Sequence, residues 1–211
     1  MNRFLLPLLL LTRGATSQTV YDMPFASPGN VIELTVENSS RMPQTALTVK
    51  PAQVPSWIIL ESPEHSIALL PGGERHVARF HFSIDRTAPV NSNHSLSFTV
   101  TSSDGHLWTK TIAVRVSPPQ TFGLFQNYPN PFNPTTTISY QLPVEGLVTI
   151  RIFNLIGQEV ALLAEGIRTA GYHQESWNAS GFSSGMYIYH IKSVSTDGRE
   201  FSERRSMMLV R

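Results

Sequence analysis

Along residues 20–117 apolar and polar side chains alternate with a period of two, the signature of strands that bury one face. Ile32, Leu34 and Val36 share a face in a first run. Ala78, Phe80, Phe82 and Ile84 do so in a later one, followed by Leu96, Phe98 and Val100, then Ile112, Val114 and Val116. Pro28-Gly29-Asn30, Pro71-Gly72-Gly73 and Asp104-Gly105 punctuate these runs as turns. Asp104-Gly105 in particular predicts a two-residue hairpin. No stretch keeps helical spacing. Short strands with regular turn signals predict a β-sandwich of about 100 residues.

The same pattern resumes past a break. Ser117-Pro118-Pro119-Gln120-Thr121 stops the last ladder and reads as a linker, with the boundary over 118–124. Ile138, Tyr140 and Leu142 then alternate, as do Val148, Ile150 and Ile152, and Tyr187, Tyr189 and Ile191. Asn154-Leu155-Ile156-Gly157 reads as a turn with a left-handed glycine, and Gly171 and Gly185 open further strands. Asp197-Gly198 turns the chain into a last strand, expected to run through Leu209 and Val210 to Arg211. The fold class expected is all-β: two Ig-like antiparallel β-sandwiches in tandem, residues 20–117 and 125–211, preceded by a signal peptide. The cysteine pair of true Ig domains is missing, so a core Trp57 or Trp108 is expected to pack on aliphatic side chains.

Between the two patterns lies Phe125-Gln126-Asn127-Tyr128-Pro129-Asn130-Pro131-Phe132-Asn133-Pro134. Each proline fixes φ, removes a donor and pushes the residue before it into extended geometry. The segment can be neither helix nor central strand. It is expected to lie stiffly along the edge of a sandwich, anchored by Phe125, Tyr128 and Phe132.

At the N-terminus, Arg3 followed by the apolar run Phe4 to Leu11 and the small residues Ala15-Thr16-Ser17 form the pattern of a secretory leader over residues 1–17. Pro7 and the unbroken leucines disfavour the alternative, a buried first strand. The apolar run falls short of the roughly 20 residues a membrane-spanning helix needs. With 41% hydrophobic residues the chain has ample core, and a net charge of +1 argues against a chain-wide nucleic-acid or membrane footprint. The absence of cysteine removes disulfides, thiol catalysis and Cys-ligated zinc together.

No catalytic, cofactor or metal site is expected. Gly181-Phe182-Ser183-Ser184-Gly185 fits the serine-hydrolase G-x-S-x-G spacing, but that motif needs a strand, a sharp turn and a helix, and here it sits between two β-runs. His76 and His81 face opposite sides of one strand, which is poor geometry for a shared metal. Asp22, Asp85, Asp104 and Asp197 are scattered. Arg199, Arg204, Arg205 and Arg211 form a basic cluster, either a solvated edge that discourages strand pairing or a contact surface.

The order Asn127-Tyr128-Pro129-Asn130-Pro131-Phe132-Asn133-Pro134, Gly157, Gly171, Trp177 and Ser184-Gly185-Met186-Tyr187, closing at Met208-Leu209-Val210-Arg211, resembles the type A C-terminal sorting domain of proteins exported by the type IX secretion system. The resemblance covers roughly residues 122–211. It implies a non-catalytic secreted or surface protein of a Gram-negative bacterium, with the type IX outer-membrane translocon and a sortase as partners. By the same resemblance Arg204, Arg205, Leu209, Val210 and Arg211, near the extreme C-terminus, become translocon-contact residues. In that setting the sequons at Asn38, Asn93 and Asn178 are coincidental. The first sandwich is either an adhesion module, binding a glycan or protein through exposed aromatics such as Trp57 or Trp108, or the remnant of a larger secreted enzyme.

Overall fold

The structure, a computed structural model, describes residues 3–5 and 20–211, with side chains from residue 20 onward. Every regular element among the described residues is a β-strand. Contacts divide the chain into two compact units, Met1–Ser117 and Pro118–Arg211.

The first unit comprises β1 (Arg3–Leu5), β2 (Val20–Met23), β3 (Asn30–Glu37), β4 (Gln44–Gln53), β5 (Ile58–Leu60), β6 (His65–Leu70), β7 (Arg75–Ile84), β8 (Asn93–Thr101) and β9 (Leu107–Val116). They form two sheets, β1-β3-β7-β5 and β2-β9-β8-β4-β6. The alternating apolar residues of β3, β7, β8 and β9 meet in one core drawn from both sheets, with the Phe80 and Phe98 ring centroids 5.0 Å apart. Of the expected leader, only Arg3–Leu5 lies within the described residues. It takes strand geometry, parallel to Val31–Glu33, whereas Ala15-Thr16-Ser17 lies outside them.

Two expectations for this unit need correction. Trp57 is buried, and its ring packs edge-on against His94 at 5.3 Å rather than on aliphatics alone. It therefore offers no exposed platform. Trp108 is half-buried and stacks on His106. The Asp104-Gly105 hairpin is a three-residue loop, not a two-residue one. Ser102 N donates to His106 O at 3.1 Å, and Gly105 takes φ +83°. That is a type I turn completed by a left-handed glycine. Asn38, the first sequon, is buried with Nδ2 donating to the Met42 and Leu70 carbonyls.

The second unit comprises β10 (Gly123–Leu124), β11 (Thr135–Leu142), β12 (Gly146–Asn154), β13 (Glu159–Arg168), β14 (Gly171–Asn178), β15 (Gly185–Ser195) and β16 (Glu200–Leu209). They form the sheets β10-β11-β14 and β13-β12-β15-β16, antiparallel throughout. A three-on-four sandwich of seven strands has the layering of an Ig constant-type domain. Ile138, Tyr140, Leu142, Val148, Ile150, Ile152, Tyr189 and Ile191 all fall in its core. Two of its hairpins repeat the loop at Gly105: Asn154 N donates to Gln158 O with Gly157 at φ +80°, and Ser195 N to Arg199 O with Gly198 at φ +82°. The last strand stops at Leu209, so Val210 and Arg211 lie beyond the ladder rather than in it.

Candidate functional site

The proline-rich segment 125–134 takes the place of a strand beside β16. A strand edge exposes alternate N–H and C=O groups, and this segment satisfies them with side chains as well as backbone. Gln126 Nε2 donates to Ser206 O at 2.8 Å, and Asn130 Oδ1 accepts from Met208 N at 2.9 Å. Phe132 N donates to Met208 O and Phe132 O accepts from Val210 N, at 2.9 and 3.0 Å. Prolines at 129, 131 and 134 have no N–H to leave unpaired there. The Tyr128–Pro129 and Asn130–Pro131 peptides are both cis.

Asn127 is the hub on the inner side. It is buried, its N–H donates to Tyr189 Oη at 3.0 Å, and its Nδ2 donates to Pro129 O and Thr136 Oγ1 at 3.0 and 2.9 Å. Tyr189 Oη in turn donates to Phe125 O at 2.8 Å, and Thr136 Oγ1 to Pro129 O at 2.8 Å. Burial holds the Tyr189 phenol above its ordinary pKa. It stays a neutral donor and acceptor at any physiological pH.

The anchoring differs from expectation. Phe132 is 1% exposed, but Tyr128 is 81% exposed and anchors nothing, although its backbone pairs with Thr137 in both directions at 2.9 Å. Phe125 is half-buried against Tyr172. The deeper apolar anchor is Leu124, one residue upstream. A fixed-φ segment does not alternate faces as a strand does, so its three aromatics do not all turn to the core.

Phe132 joins residues far apart in the chain. Its ring lies 5.5 Å from Trp177, and Trp177 contacts Phe182 and Tyr187 at 5.6 and 5.3 Å. Tyr187 Oη donates to Ser183 O at 2.8 Å. The stretch Gly181–Gly185 is thus a turn under an aromatic cluster, with Ser184 exposed at its rim. Pro134 O accepts from Ala179 N at 2.9 Å and fastens the far end of the segment, while Asn133 is exposed. Gly171 and Gly185 begin β14 and β15, and Gly157 turns β12 into β13.

The C-terminal residues divide. Leu209 is fully buried, so its side chain is core and not an available contact. Arg205 is half-buried and paired with Glu203 at 2.9 Å, while Arg211 reaches the Ser180 carbonyl. Arg204 and Val210 are exposed. Arg204 borders a cavity of about 350 Å³ on the outer face, shared with Phe153, Asn154, Leu155, Gly157, Ile188 and His190. His190 Nε2 lies 2.7 Å from Ser202 Oγ; burial first, then the charges of Arg204 and Lys192, hold its pKa below the usual imidazole range.

One cluster escaped the sequence. His65 and His76 bring their Nε2 atoms within 3.0 Å. They lie at the first and second positions of strands in the two different sheets, β6 and β7, so no spacing along the chain announces them. Among the described residues no group of three or more His, Cys, Asp or Glu is arranged to hold a metal ion.

Residues 126–200 match the family described as secretion system C-terminal sorting domain. The chain carries a type IX secretion sorting domain. That family addresses proteins to the type IX machinery, for export to the cell surface or medium of Gram-negative bacteria. The match supports a protein exported by that route, and the family is not a catalytic one. Similar solved structures include dimeric latent PorU from Porphyromonas gingivalis, with 13% identity over 95% of this chain and 20% of that one, TM-score 0.36. Another is the calcium binding domain CBD12 of CALX1.1, with 9% identity over 84% and 78%, TM-score 0.34. A third is the CupB2 chaperone of Pseudomonas aeruginosa, with 11% identity over 90% and 97%, TM-score 0.30. No curated protein matches the chain. No helix among the described residues is long and apolar enough to cross a membrane.

Proposed function

We propose that this chain is a non-catalytic secreted or surface protein, with residues 125–211 as a folded export address and the first sandwich as its cargo. The observation that carries this reading is the proline-rich strap. Within the motif at 127–134, Asn130 and Phe132 fasten the C-terminal strand while Asn127 ties the motif to Thr136 and Tyr189, so the motif and the chain end are one physical object.

In this reading residues 1–17 are a leader that takes the chain through the inner membrane. The sorting domain folds in the periplasm and offers its exposed site residues, Tyr128, Arg204 and Val210, to the outer-membrane translocon. A sortase then cuts within 118–124. It frees the first sandwich or transfers it to anionic lipopolysaccharide.

Cell fractionation tests this directly. The intact protein is expected on the surface or in the medium, and a variant lacking residues 200–211 is expected to stay in the periplasm. Because that deletion removes all of β16, the folded variant Tyr128→Ser is run beside it. Delivery of the truncated chain would overturn the address, and undiminished export of Tyr128→Ser would remove that residue from the contact surface. Mass spectrometry of the exported product is expected to place its start after residue 17.

A further inference from the structure

The four-stranded sheet of the sorting domain has two edges of unlike character. β13 meets β12 with register shifts at Ile150/Arg151 and Ile152/Phe153, and such bulges bend a strand and spoil it as a pairing template. β16 instead follows β15 without a break from Gly185↔Leu209 to Val194↔Glu200. On a strand, the backbone groups of alternate residues point to the same edge. The strap's bonds go to Ser206, Met208 and Val210. By the same alternation the N–H and C=O of Glu200, Ser202 and Arg204 point outward. Among the described residues no strand and no strap residue bonds to them.

All three residues are exposed. Neither Glu200 nor Arg204 forms a salt bridge among the described residues, although their neighbours Arg199 and Arg205 hold Asp197 and Glu203. Isolated charges of one sign would keep such an edge apart. Here they are of opposite sign and symmetric about Ser202.

We propose that this window is a self-association edge, at which β16 of two copies pair antiparallel about a two-fold axis through Ser202. Glu200 then lies opposite the second copy's Arg204, and Arg204 opposite its Glu200. Each outward-facing pair exchanges N–H···O bonds in both directions, with the two charge pairs on one face. Among registers with the axis at an outward-facing residue, this one alone sets unlike charges opposite each other. An axis at Arg204 sets guanidinium against guanidinium and drives the pairing under the strap. An axis at Glu200 sets carboxylate against carboxylate and runs off the strand. Arg199 and Arg205 do come opposite each other, but each brings its own carboxylate. The contact is isologous, so it closes at a dimer. So short a window falls below the roughly 1,200 Å² of a standard interface, which makes the dimer concentration-dependent. The proposal concerns the purified protein and stands or falls apart from the export reading.

The chain has no cysteine, so Ser202→Cys introduces a sole thiol at the axis. Paired Cα atoms there are about 5.5 Å apart, inside the roughly 4.4–6.8 Å a disulfide spans. With the full chain at tens of micromolar and diamide as oxidant, S202C is expected to form a covalent dimer. Since held groups react at an effective concentration on the order of millimolar, its rate should exceed that of S206C, under the strap, by about tenfold. In sedimentation equilibrium, E200R and R204E alone should each abolish dimerisation, and E200R/R204E together should restore it. A wild-type chain that stays monomeric at every concentration would overturn the proposal and leave the edge to a strand of another protein. Equal crosslinking of S202C and S206C, or a double swap that fails to restore the dimer, would overturn it too.

Discussion

The two sandwiches solve one problem in different ways. Both bury alternating apolar positions between mainly antiparallel sheets, and both turn hairpins on a left-handed glycine closing a three-residue loop. In the first unit the regular strands supply nearly all of the large core side chains, with Phe80, Phe82 and Phe98 at the centre. In the second, an irregular segment contributes core as well: Phe132 from the strap sits among Trp177, Phe182 and Tyr187, and buried Asn127 ties the strap to Tyr189 and Thr136. A generic sandwich needs only patterned strands. In the second unit, the edge of the last strand is closed over Ser206–Val210 by a dedicated segment.

If the strap is as much core as the strands, truncating it should cost as much as truncating a strand. Phe132→Ala is expected to destabilise the second unit by about 3–5 kcal/mol, the same range as Phe98→Ala in the first. Calorimetry should show each variant lowering one transition. A loss below about 1 kcal/mol for Phe132→Ala would make the strap mere covering.

The polar half of the strap comes next. Tyr189→Phe removes the acceptor of the Asn127 N–H and the hydroxyl that donates to Phe125 C=O, both at the strap's inner side. It should cost about 1–3 kcal/mol, measurable by urea unfolding of the second unit. The matching change Tyr21→Phe in the first unit removes a hydroxyl that makes no side-chain hydrogen bond among the described residues, and should cost less.

Protonation separates the units further. Burial, then the charges of His76 and Arg79, hold His65 below its ordinary pKa, and burial, Arg204 and Lys192 do the same for His190. Both imidazoles are therefore harder to protonate in the fold than in the unfolded chain. The unfolded chain takes up more protons as pH falls through about 6.5. The stabilisation is whole above that pH and lost below it. Thermal transitions at pH 7.5 and 5.5 should show both units weakening, and His65→Gln should reduce the effect in the first unit alone.

The smallest effect is the most telling. Tyr128 is 81% exposed within the motif, so Tyr128→Ser should change stability by no more than about 0.5 kcal/mol. A change above 1 kcal/mol would show that the exposed ring carries structure after all.

The all-β class, the core faces of β3, β7, β11, β12 and β15, and the left-handed Gly157 were legible from the sequence because period-two patterning and turn chemistry are local. So was the strap's position at a sheet edge, since proline removes donors wherever it stands. The sequence left Trp57 open between core and surface platform and misread Tyr128 as an anchor, because a lone aromatic carries no periodicity to say which way it faces. Only the tertiary structure brought His65 to His76, put Leu209 in the core, and matched Asn130 and Phe132 to the edge of β16. Those contacts join residues 11 to 78 positions apart, and separations of that kind are set by how sheets stack, which no local pattern encodes.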